Sequence, residues 1–342
     1  MATHPTVLMR VYPFLKGTHL KQLLVALSAG FVITSALAQS GIPAFPSKPL
    51  TMVVGFAPGG GTDIVARIIA RHLGEQLGQA VMVDNKTGAG GNIATDFVAR
   101  AEPDGYTLLL GSVGSLTVAP HLVAKLPYRP LVDLAPVTMA VVFPNVLVVN
   151  PAFPAKTLAE YVKLAKDKPG TVTQASSGIG GAGHLAGELL KIRAGIDAIH
   201  VAYKGGGPGM LAVMGGEVNA YYATPVSAGA QIKSGKVRAL ATTGLKRDRL
   251  LPDVPTVAES GYPGYEATNW YAYVVPAKTP AAVVTRLNQA LVKTLNLPEV
   301  VDALQKQGLD PSPSTPAELA AFMQREFNTW GKVVKQAGIK AE

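Results

Sequence analysis

Two glycine-rich turns constrain this chain more than any other feature, because each lies between a predicted strand and a predicted helix. The first spans residues 55–63, after the apolar run 50–54, and the second spans 176–184. Glycine lets the backbone turn tightly and brings N–H groups close to a ligand. The helix after each turn directs its unpaired N–H groups and its positive dipole end toward the same place. We therefore predict two anion-binding corners that close on one small carboxylate, which favours capture over catalysis.

Short β-type runs and helical runs alternate along most of the chain, the order typical of α/β proteins. In the first half, the predicted strands are 50–56, 80–84 and 106–111, and the predicted helices are 62–77 and 92–100. In the second half, the predicted strands are 171–175, 199–203, 218–222 and 237–242, and the predicted helices are 157–166, 185–194 and 210–214, with a loop at 204–209. This order predicts parallel sheets with glycine loops at the carboxyl ends of the strands.

The chain is too long for one hydrophobic core, because about 300 residues follow position 38 and single cores rarely grow that large. The apolar runs 146–151 and 271–276 each end in proline and precede a new helix. We interpret them as two strands that cross between lobes. The sequence therefore predicts a discontinuous lobe 1, residues 46–147 plus 253–342, and a lobe 2 of residues 148–252.

Residues 1–38 are predicted to be a cleavable signal peptide. Basic residues at 10, 16 and 21 precede an apolar stretch from 23 to 38, and Ala36-Leu37-Ala38 has the small-x-small form that signal peptidases cut. The apolar stretch is shorter than the roughly 20 residues of a membrane-spanning helix, although an uncleaved anchor is the alternative. We therefore expect export to the periplasm, with cleavage after Ala38.

The composition argues against several kinds of site. The chain has no cysteine, which excludes disulfides and thiolate chemistry. Its formal net charge of +9 is scattered, without the basic stripe and interleaved aromatic residues of nucleic-acid-binding proteins. Neither G-x-S-x-G nor H-E-x-x-H occurs, and His72, His121, His184 and His200 lack metal-ligand spacing. We expect no catalytic residue, no metal, no cofactor and no nucleic-acid partner.

One enzyme alternative remains open at the second turn. Residues 178–183 fit G-x-G-x-x-G after a strand and before a helix, as in dinucleotide-binding folds. The next predicted strand ends in Tyr203-Lys204, without the acidic residue that would hold a ribose, although Lys204 could meet a 2′-phosphate. An NADP-linked exported oxidoreductase is therefore the alternative function, and a carboxylate sensor subunit is a third.

Several further motifs occur in a fixed order along the chain. They are residues 56–63, 88–91, 103–108, 126–128, 184–188, 203–205, 235–241 and 251–256. At these motifs the sequence resembles the extracytoplasmic solute receptors of tripartite tricarboxylate transporters, also called Bug receptors. The resemblance implies a type II periplasmic binding protein fold, with two α/β lobes joined by two crossing strands. It also implies a monomer that closes on a small carboxylate and delivers it through transient contact with a membrane permease.

The resemblance and the glycine turns together imply ligand-binding residues in both lobes. The candidates are Phe56, Ala57, Gly59, Gly60, Gly61, Thr62, Asp63, Gly111, Ser112, Ser177, Gly178, Gly180, Gly181, His184, Tyr203, Ala223 and Thr224. For some of them a structural role is the alternative. Ser177 could cap a helix, His184 could lock its own turn, and Tyr203 could simply pack.

Three positions depart from the pattern of the family that the sequence resembles. Gly181 stands where a hydroxyl residue is usual, Ala223-Thr224 stands where an acidic residue is often found, and Arg129 replaces a usual aspartate. The first two departures weaken any assignment of an amino acid as the ligand, because they remove groups that would receive it.

Overall fold

The computed structural model describes Met1 and residues 45–339. The predicted signal peptide, with its cleavage site after Ala38, falls outside the described residues apart from Met1. None of the helices in the described residues is both long enough and apolar enough to cross a membrane.

Strands and helices alternate as the sequence pattern predicts. The strands are β1 (Leu50–Val54), β2 (Val81–Asn85), β3 (Thr107–Ser112), β4 (Leu134–Pro144), β5 (Val146–Val149), β6 (Val172–Ser176), β7 (Ala198–Ala202), β8 (Ala220–Ala223), β9 (Arg238–Thr242), β10 (Thr268–Pro276) and β11 (Asp310–Pro311). The helices are α1 (Gly61–Leu77), α2 (Asn92–Ala99), α3 (Ala119–Leu122), α4 (Pro130–Asp133), α5 (Leu158–Asp167), α6 (Ala182–Ala194), α7 (Gly206–Gly215), α8 (Pro225–Lys233), α9 (Ala281–Leu295), α10 (Pro298–Gln305) and α11 (Pro316–Ala337).

The first sheet has six strands in the order β11-β4-β10-β3-β1-β2. β1 pairs in parallel with β2 and β3, whereas β10 runs antiparallel between β3 and β4. Helix α1 buries Val65, Ile69 and Leu73 against Leu50 and Met52 of β1. Because β1 and β3 are parallel, the turn after β1 and the end of β3 lie at the same edge of the sheet.

The second sheet has five strands in the order β7-β6-β8-β5-β9. β6 pairs in parallel with β7 and β8, whereas β5 runs antiparallel between β8 and β9. Each sheet therefore combines parallel strands with an antiparallel strand inserted among the others, β10 in the first sheet and β5 in the second. The short strand β11 adds a second antiparallel strand at the edge of the first sheet. This arrangement confirms the predicted fold class of two α/β lobes, in which the second glycine turn follows the carboxyl end of β6.

The chain crosses between the sheets at two adjacent places. The first crossing is Asn145, between β4 and β5, and the second lies between β9 and β10, beginning at Thr243. The Asn145 amide donates to the Thr243 hydroxyl (2.8 Å), and the Thr243 amide donates to the Asn145 carbonyl (2.9 Å). The runs predicted to cross are β5 and β10, which each lie within one sheet, and the crossings come just before them. The lobe boundaries at 147/148 and 252/253 stay predictions.

The segment 204–209 differs from its prediction as a loop, because helix α7 already begins at Gly206. Glycine and proline are unfavourable in the interior of a helix. Pro208, however, falls in the first turn, where a missing N–H costs nothing. Helix α7 therefore has its N-terminus at Gly206, which lines the small cavity described below.

Candidate ligand-binding site

A small cavity of about 30 Å³ lies where the N-terminal ends of four helices meet. Its lining residues include Gly61 and Thr62 of α1, Ala182 of α6, Gly206 of α7 and Thr224, which precedes α8. The N–H groups in the first turn of a helix have no partner within the helix, and each helix adds a positive dipole end. The cavity is therefore surrounded by backbone donors and is suited to a negatively charged group.

The first turn is held from behind by the Asp63 carboxylate. This carboxylate accepts hydrogen bonds from the Gly59 amide (2.9 Å), from Arg67 Nε (3.0 Å) and from Asn85 Nδ2 (3.0 Å). Asn85 Nδ2 also donates to the Phe56 carbonyl (2.9 Å). Burial alone would raise the pKa of Asp63, but the hydrogen bonds and the charge of Arg67 outweigh it and lower the pKa below its usual value. The carboxylate thus stays ionised, and it holds the turn directly at Gly59 and through Asn85 at Phe56.

The second turn is held by neutral side chains. The Gly180 amide donates to His184 Nδ1 (3.0 Å), so that nitrogen carries no proton. The Ser176 hydroxyl donates to the Gly178 carbonyl (3.0 Å) and lies 2.7 Å from His200 Nε2. The two imidazole rings stack with their centroids 3.7 Å apart. His184 therefore locks its own turn, the structural role left open by the sequence.

The two stacked histidines are neutral because they are buried. Burial lowers the pKa of His184 to about 3 and that of His200 to about 4, and the positive charge of Lys191 adds to the effect on both rings. Glu188 lies near His184, with its Oε1 3.8 Å from His184 Nε2. The same carboxylate oxygen pairs with Lys191 Nζ at 3.0 Å. The second turn thus depends on imidazoles that do not carry a charge.

Among the residues that the structure describes, no charged side chain lines the small cavity, so its positive character comes from the backbone. Tyr271 reaches the cavity from β10, and burial raises the pKa of its hydroxyl to about 12, which keeps the hydroxyl protonated as a donor. In the part of the chain that the structure describes, no cluster of His, Cys, Asp and Glu is placed to hold a metal ion. The site can therefore bind an anion through neutral donors.

Residues 65–339 match the family described as the tripartite tricarboxylate transporter family receptor. This chain belongs to that family. The expected receptor assignment is confirmed, and with it a solute-binding protein rather than an enzyme. The oxidoreductase alternative for residues 178–183 is therefore abandoned.

Three solved structures of similar proteins agree with this assignment. The periplasmic binding protein BugD is 36% identical, with a TM-score of 0.83, and the match covers 87% of this receptor and 100% of BugD. R. palustris Rpa4515 with adipate is 34% identical, with a TM-score of 0.83, covering 86% and 99%. MatC from Rhodopseudomonas palustris with bound malate is 34% identical, with a TM-score of 0.81, covering 85% and 100%.

The receptor brings many of the predicted site residues together. The small cavity is lined by Phe56, Gly60, Gly61, Thr62, Ser112, Ser177, Gly181 and Thr224. A neighbouring cavity of about 560 Å³ is lined by Gly178, Gly180 and Tyr203, and Phe56 and Ser177 line it as well. The two glycine turns, one from each lobe, thus face each other across shared space.

Six predicted residues line neither of these two cavities. They are Ala57, Gly59, Asp63, Gly111, His184 and Ala223. Gly59, Asp63 and His184 take part in the hydrogen bonds that hold the turns. Gly111 and Ala223 are buried in β3 and β8, next to the cavity-lining Ser112 and Thr224. These five residues, all of the six except Ala57, therefore hold or adjoin the groups that line the cavity.

Four residues that line the small cavity were missed by the sequence analysis. They are Ala182, Gly206, Asn269 and Tyr271. Gly206 belongs to a glycine-rich segment that was noticed but interpreted as a loop, so a signal was present there. Tyr271 and Asn269 belong to β10, whose position beside β3 is set by long-range pairing.

Gly61 lines the small cavity at a place where a side chain has little room. A Cβ at this position would lie 3.1 Å from the Tyr271 hydroxyl and 3.3 Å from Thr224 Oγ1. It would point between a residue of the first sheet and one from the second lobe. Any side chain at Gly61 would therefore occupy the space that the helix N-termini surround.

The lobes touch each other through bare backbone, a contact that we call the glycine seam (Gly90, Gly114, Gly178 and Gly180). A Cβ at Gly90 would lie 2.8 Å from the Ile179 carbonyl oxygen, and one at Gly114 would lie 3.1 Å from the Gly180 carbonyl oxygen. A Cβ at Gly178 would lie 3.4 Å from the Gly90 Cα. The seam lets the two turns approach more closely than side chains would allow.

Proposed function

We propose that this receptor captures a small carboxylate between its lobes in the periplasm and delivers it to the membrane permease of a tripartite transporter. One observation carries the proposal: four helix N-termini meet at a cavity whose lining, within residues 45–339, holds no charged side chain. The relatives Rpa4515 and MatC, with adipate and malate respectively, support a carboxylic acid as the ligand.

The expected affinity comes from several modest contributions. Each helix N-terminus offers an anion roughly 0.3–1 kcal/mol, and up to ~2 kcal/mol when partly buried. Each hydrogen bond to a charged group adds about 1.5–3 kcal/mol. These gains are offset by about 4–15 kcal/mol or more for lost translational and rotational freedom. We propose that several such hydrogen bonds together outweigh this cost and give a useful uptake affinity without an ion pair.

Delivery depends on the populations of the open and closed states of the receptor. A ligand that binds better when the lobes are together shifts the equilibrium toward that state by its difference in affinity. We propose that the receptor acts as a monomer and that its permease distinguishes the closed, loaded state through a transient contact. The carboxylate then leaves when the lobes separate.

The test is a comparison of Gly61→Ala with Gly229→Ala, measured by calorimetry and thermal shift against adipate, malate and other carboxylates. The methyl group at Gly61 points into the cavity, whereas a Cβ at Gly229 in α8 meets open space. We expect Gly61→Ala to weaken the binding of the best carboxylate at least tenfold, or about 1.4 kcal/mol. Gly229→Ala should bind like the unaltered receptor.

Two results would contradict the proposal. One is that no carboxylate stabilises the unaltered receptor, since a true ligand at a hundredfold excess over Kd adds about 2.7 kcal/mol to stability. The other is that Gly61→Ala folds and binds as tightly as Gly229→Ala, which would place the anion elsewhere.

A further inference from the structure

The small cavity is too small to hold a whole carboxylic acid of ordinary size. Its volume of about 30 Å³ is only two to three times the roughly 10–15 Å³ that a cavity needs to hold one water molecule. Sites for small molecules usually offer about 300–1,000 Å³. If the proposed function is correct, the carboxylate head occupies this cavity and the rest of the ligand lies beyond it.

The neighbouring cavity of about 560 Å³ is the space into which the ligand can extend. Phe56 and Ser177 line both cavities. A ligand that extends past these two residues therefore has atoms in each cavity. The Phe56 ring lies against Gly91, where a Cβ would be 3.6 Å from its edge. The ring therefore forms part of the wall that separates head from body.

The larger cavity differs chemically from the smaller one. Its side-chain lining is mostly apolar, with Ile93, Ala119, Leu122, Val123, Pro127 and Ile179. The polar side chains among the described residues that line it are fewer: Asn92, Asp96, Ser177, Tyr203 and Lys204. Asp96 is paired with Arg100, whose Nε lies 2.7 Å from the carboxylate. Apolar surface gains affinity by burying carbon, and it gives hydroxyl groups few partners.

We infer that the ligand of this receptor is a carboxylate with an apolar body, an aromatic ring or a carbon chain, held in the cavity between Phe56, Ile93, Leu122 and Ile179. The inference rests on the proposed function and specifies its substrate class. A hydroxylated acid such as malate fills the head cavity but leaves the apolar part of the body cavity uncovered.

The first experiment measures Kd for matched pairs of acids that differ only in their apolar body. The pairs are butyrate with 4-phenylbutyrate and succinate with phenylsuccinate, and malate is compared with succinate. Each buried methylene is worth about fourfold in affinity, so we expect the phenyl acids to bind at least tenfold more tightly than their partners. Malate should bind no better than succinate. Equal affinities within both pairs would overturn the inference.

The second experiment changes the wall of the body cavity. Ile93 lies on α2 with 52% of its surface exposed and lines this cavity, whereas Ile192 lies on α6 with 42% exposed and lines neither cavity. We expect Ile93→Ser to weaken phenylsuccinate at least fivefold and succinate less than twofold. Ile192→Ser, the matched control, should change neither value. An equal loss for both acids in Ile93→Ser would overturn the inference.

The outcomes separate this inference from the proposed function. If no carboxylate binds, the proposed function fails and the inference fails with it. If carboxylates bind and Gly61→Ala weakens them, but the phenyl group brings no gain, the head cavity is correct and only the apolar body is wrong. Circular dichroism melting of Ile93→Ser and Ile192→Ser checks that both variants fold alike.

Discussion

The two glycine turns present their backbone to the same space, but one is held by a charged side chain and the other by neutral side chains. The first depends on an ionised carboxylate, Asp63, with Arg67 beside it. The second depends on the neutral imidazoles of His184 and His200. The difference shows that a backbone anion site does not prescribe its supporting side chains. It also means that acid affects the two turns at different pH values.

The largest expected effect that separates the turns is the loss of stability in acid. The pKa values of His184 and His200 lie at about 3 and about 4, below the usual 6.5, so the unfolded chain takes up protons first as the pH falls. The stability that these neutral rings contribute is complete above pH 6.5 and is lost toward pH 4. The free energy of unfolding should fall by up to about 1.4 kcal/mol per pH unit for each ring.

Urea unfolding between pH 7.5 and pH 4.5, in buffers free of carboxylates, measures this slope. The double variant His184→Gln plus His200→Gln, which cannot titrate in this range, should show a shallower slope. An identical slope would assign the acid sensitivity to other groups. Asp63 does not contribute here, because its lowered pKa keeps its stabilisation present until the pH falls below the ordinary value of 3.8.

Removing the carboxylate of the first turn should have the next largest effect. Asp63→Ala leaves the Gly59 amide and the Asn85 side chain without their acceptor, so we expect a loss of about 1–3 kcal/mol in the free energy of unfolding. Asp167→Ala is the matched control, because Asp167 pairs with Lys163 on the surface. Exposed pairs contribute about 0.2–1 kcal/mol. A similar cost for both variants at neutral pH would show that Asp63 is an ordinary surface charge.

The adjacent serines of the second turn provide the smallest expected change in stability. Ser176 bonds within the turn and contacts His200, whereas Ser177 lines both cavities. Ser176→Ala should lower the free energy of unfolding by about 0.5–1.5 kcal/mol. Ser177→Ala should leave the ligand-free stability unchanged and weaken carboxylate binding by about 1–3 kcal/mol instead. The opposite pattern, measured by urea unfolding and calorimetry, would reverse the roles of the two hydroxyls.

The sequence predicts those parts of the molecule that local chemistry determines. Helix α1 was predicted at 62–77 and begins at Gly61, because glycine and threonine mark its start and Gly78 ends it in the left-handed region at φ 69. The fold class followed from the alternation of strands and helices. The two turns were found because each is rich in glycine and lies between a β-type run and a helical run.

The features that the sequence did not reveal depend on contacts between distant residues. His184 meets His200 only because β6 and β7 pair in parallel, with Gln174 opposite His200. Tyr271 reaches the cavity because β10 returns to the first sheet after the whole second lobe. Asp63 supports its turn together with Asn85, and β2 brings Asn85 to the end of β1. The local sequence pattern does not indicate any of these long-range pairings.

The glycine seam affects how easily the lobes come together. Glycine has no side chain to immobilise, so this contact costs no rotamer entropy when it forms. A methyl group in the seam would act as a wedge: at Gly114 it would press on the Gly180 carbonyl, and at Gly90 it would also strain a backbone with φ +65. Such a receptor would keep the anion-binding turn of each lobe intact, but its lobes could not close fully. The two turns could then not contact the same ligand molecule.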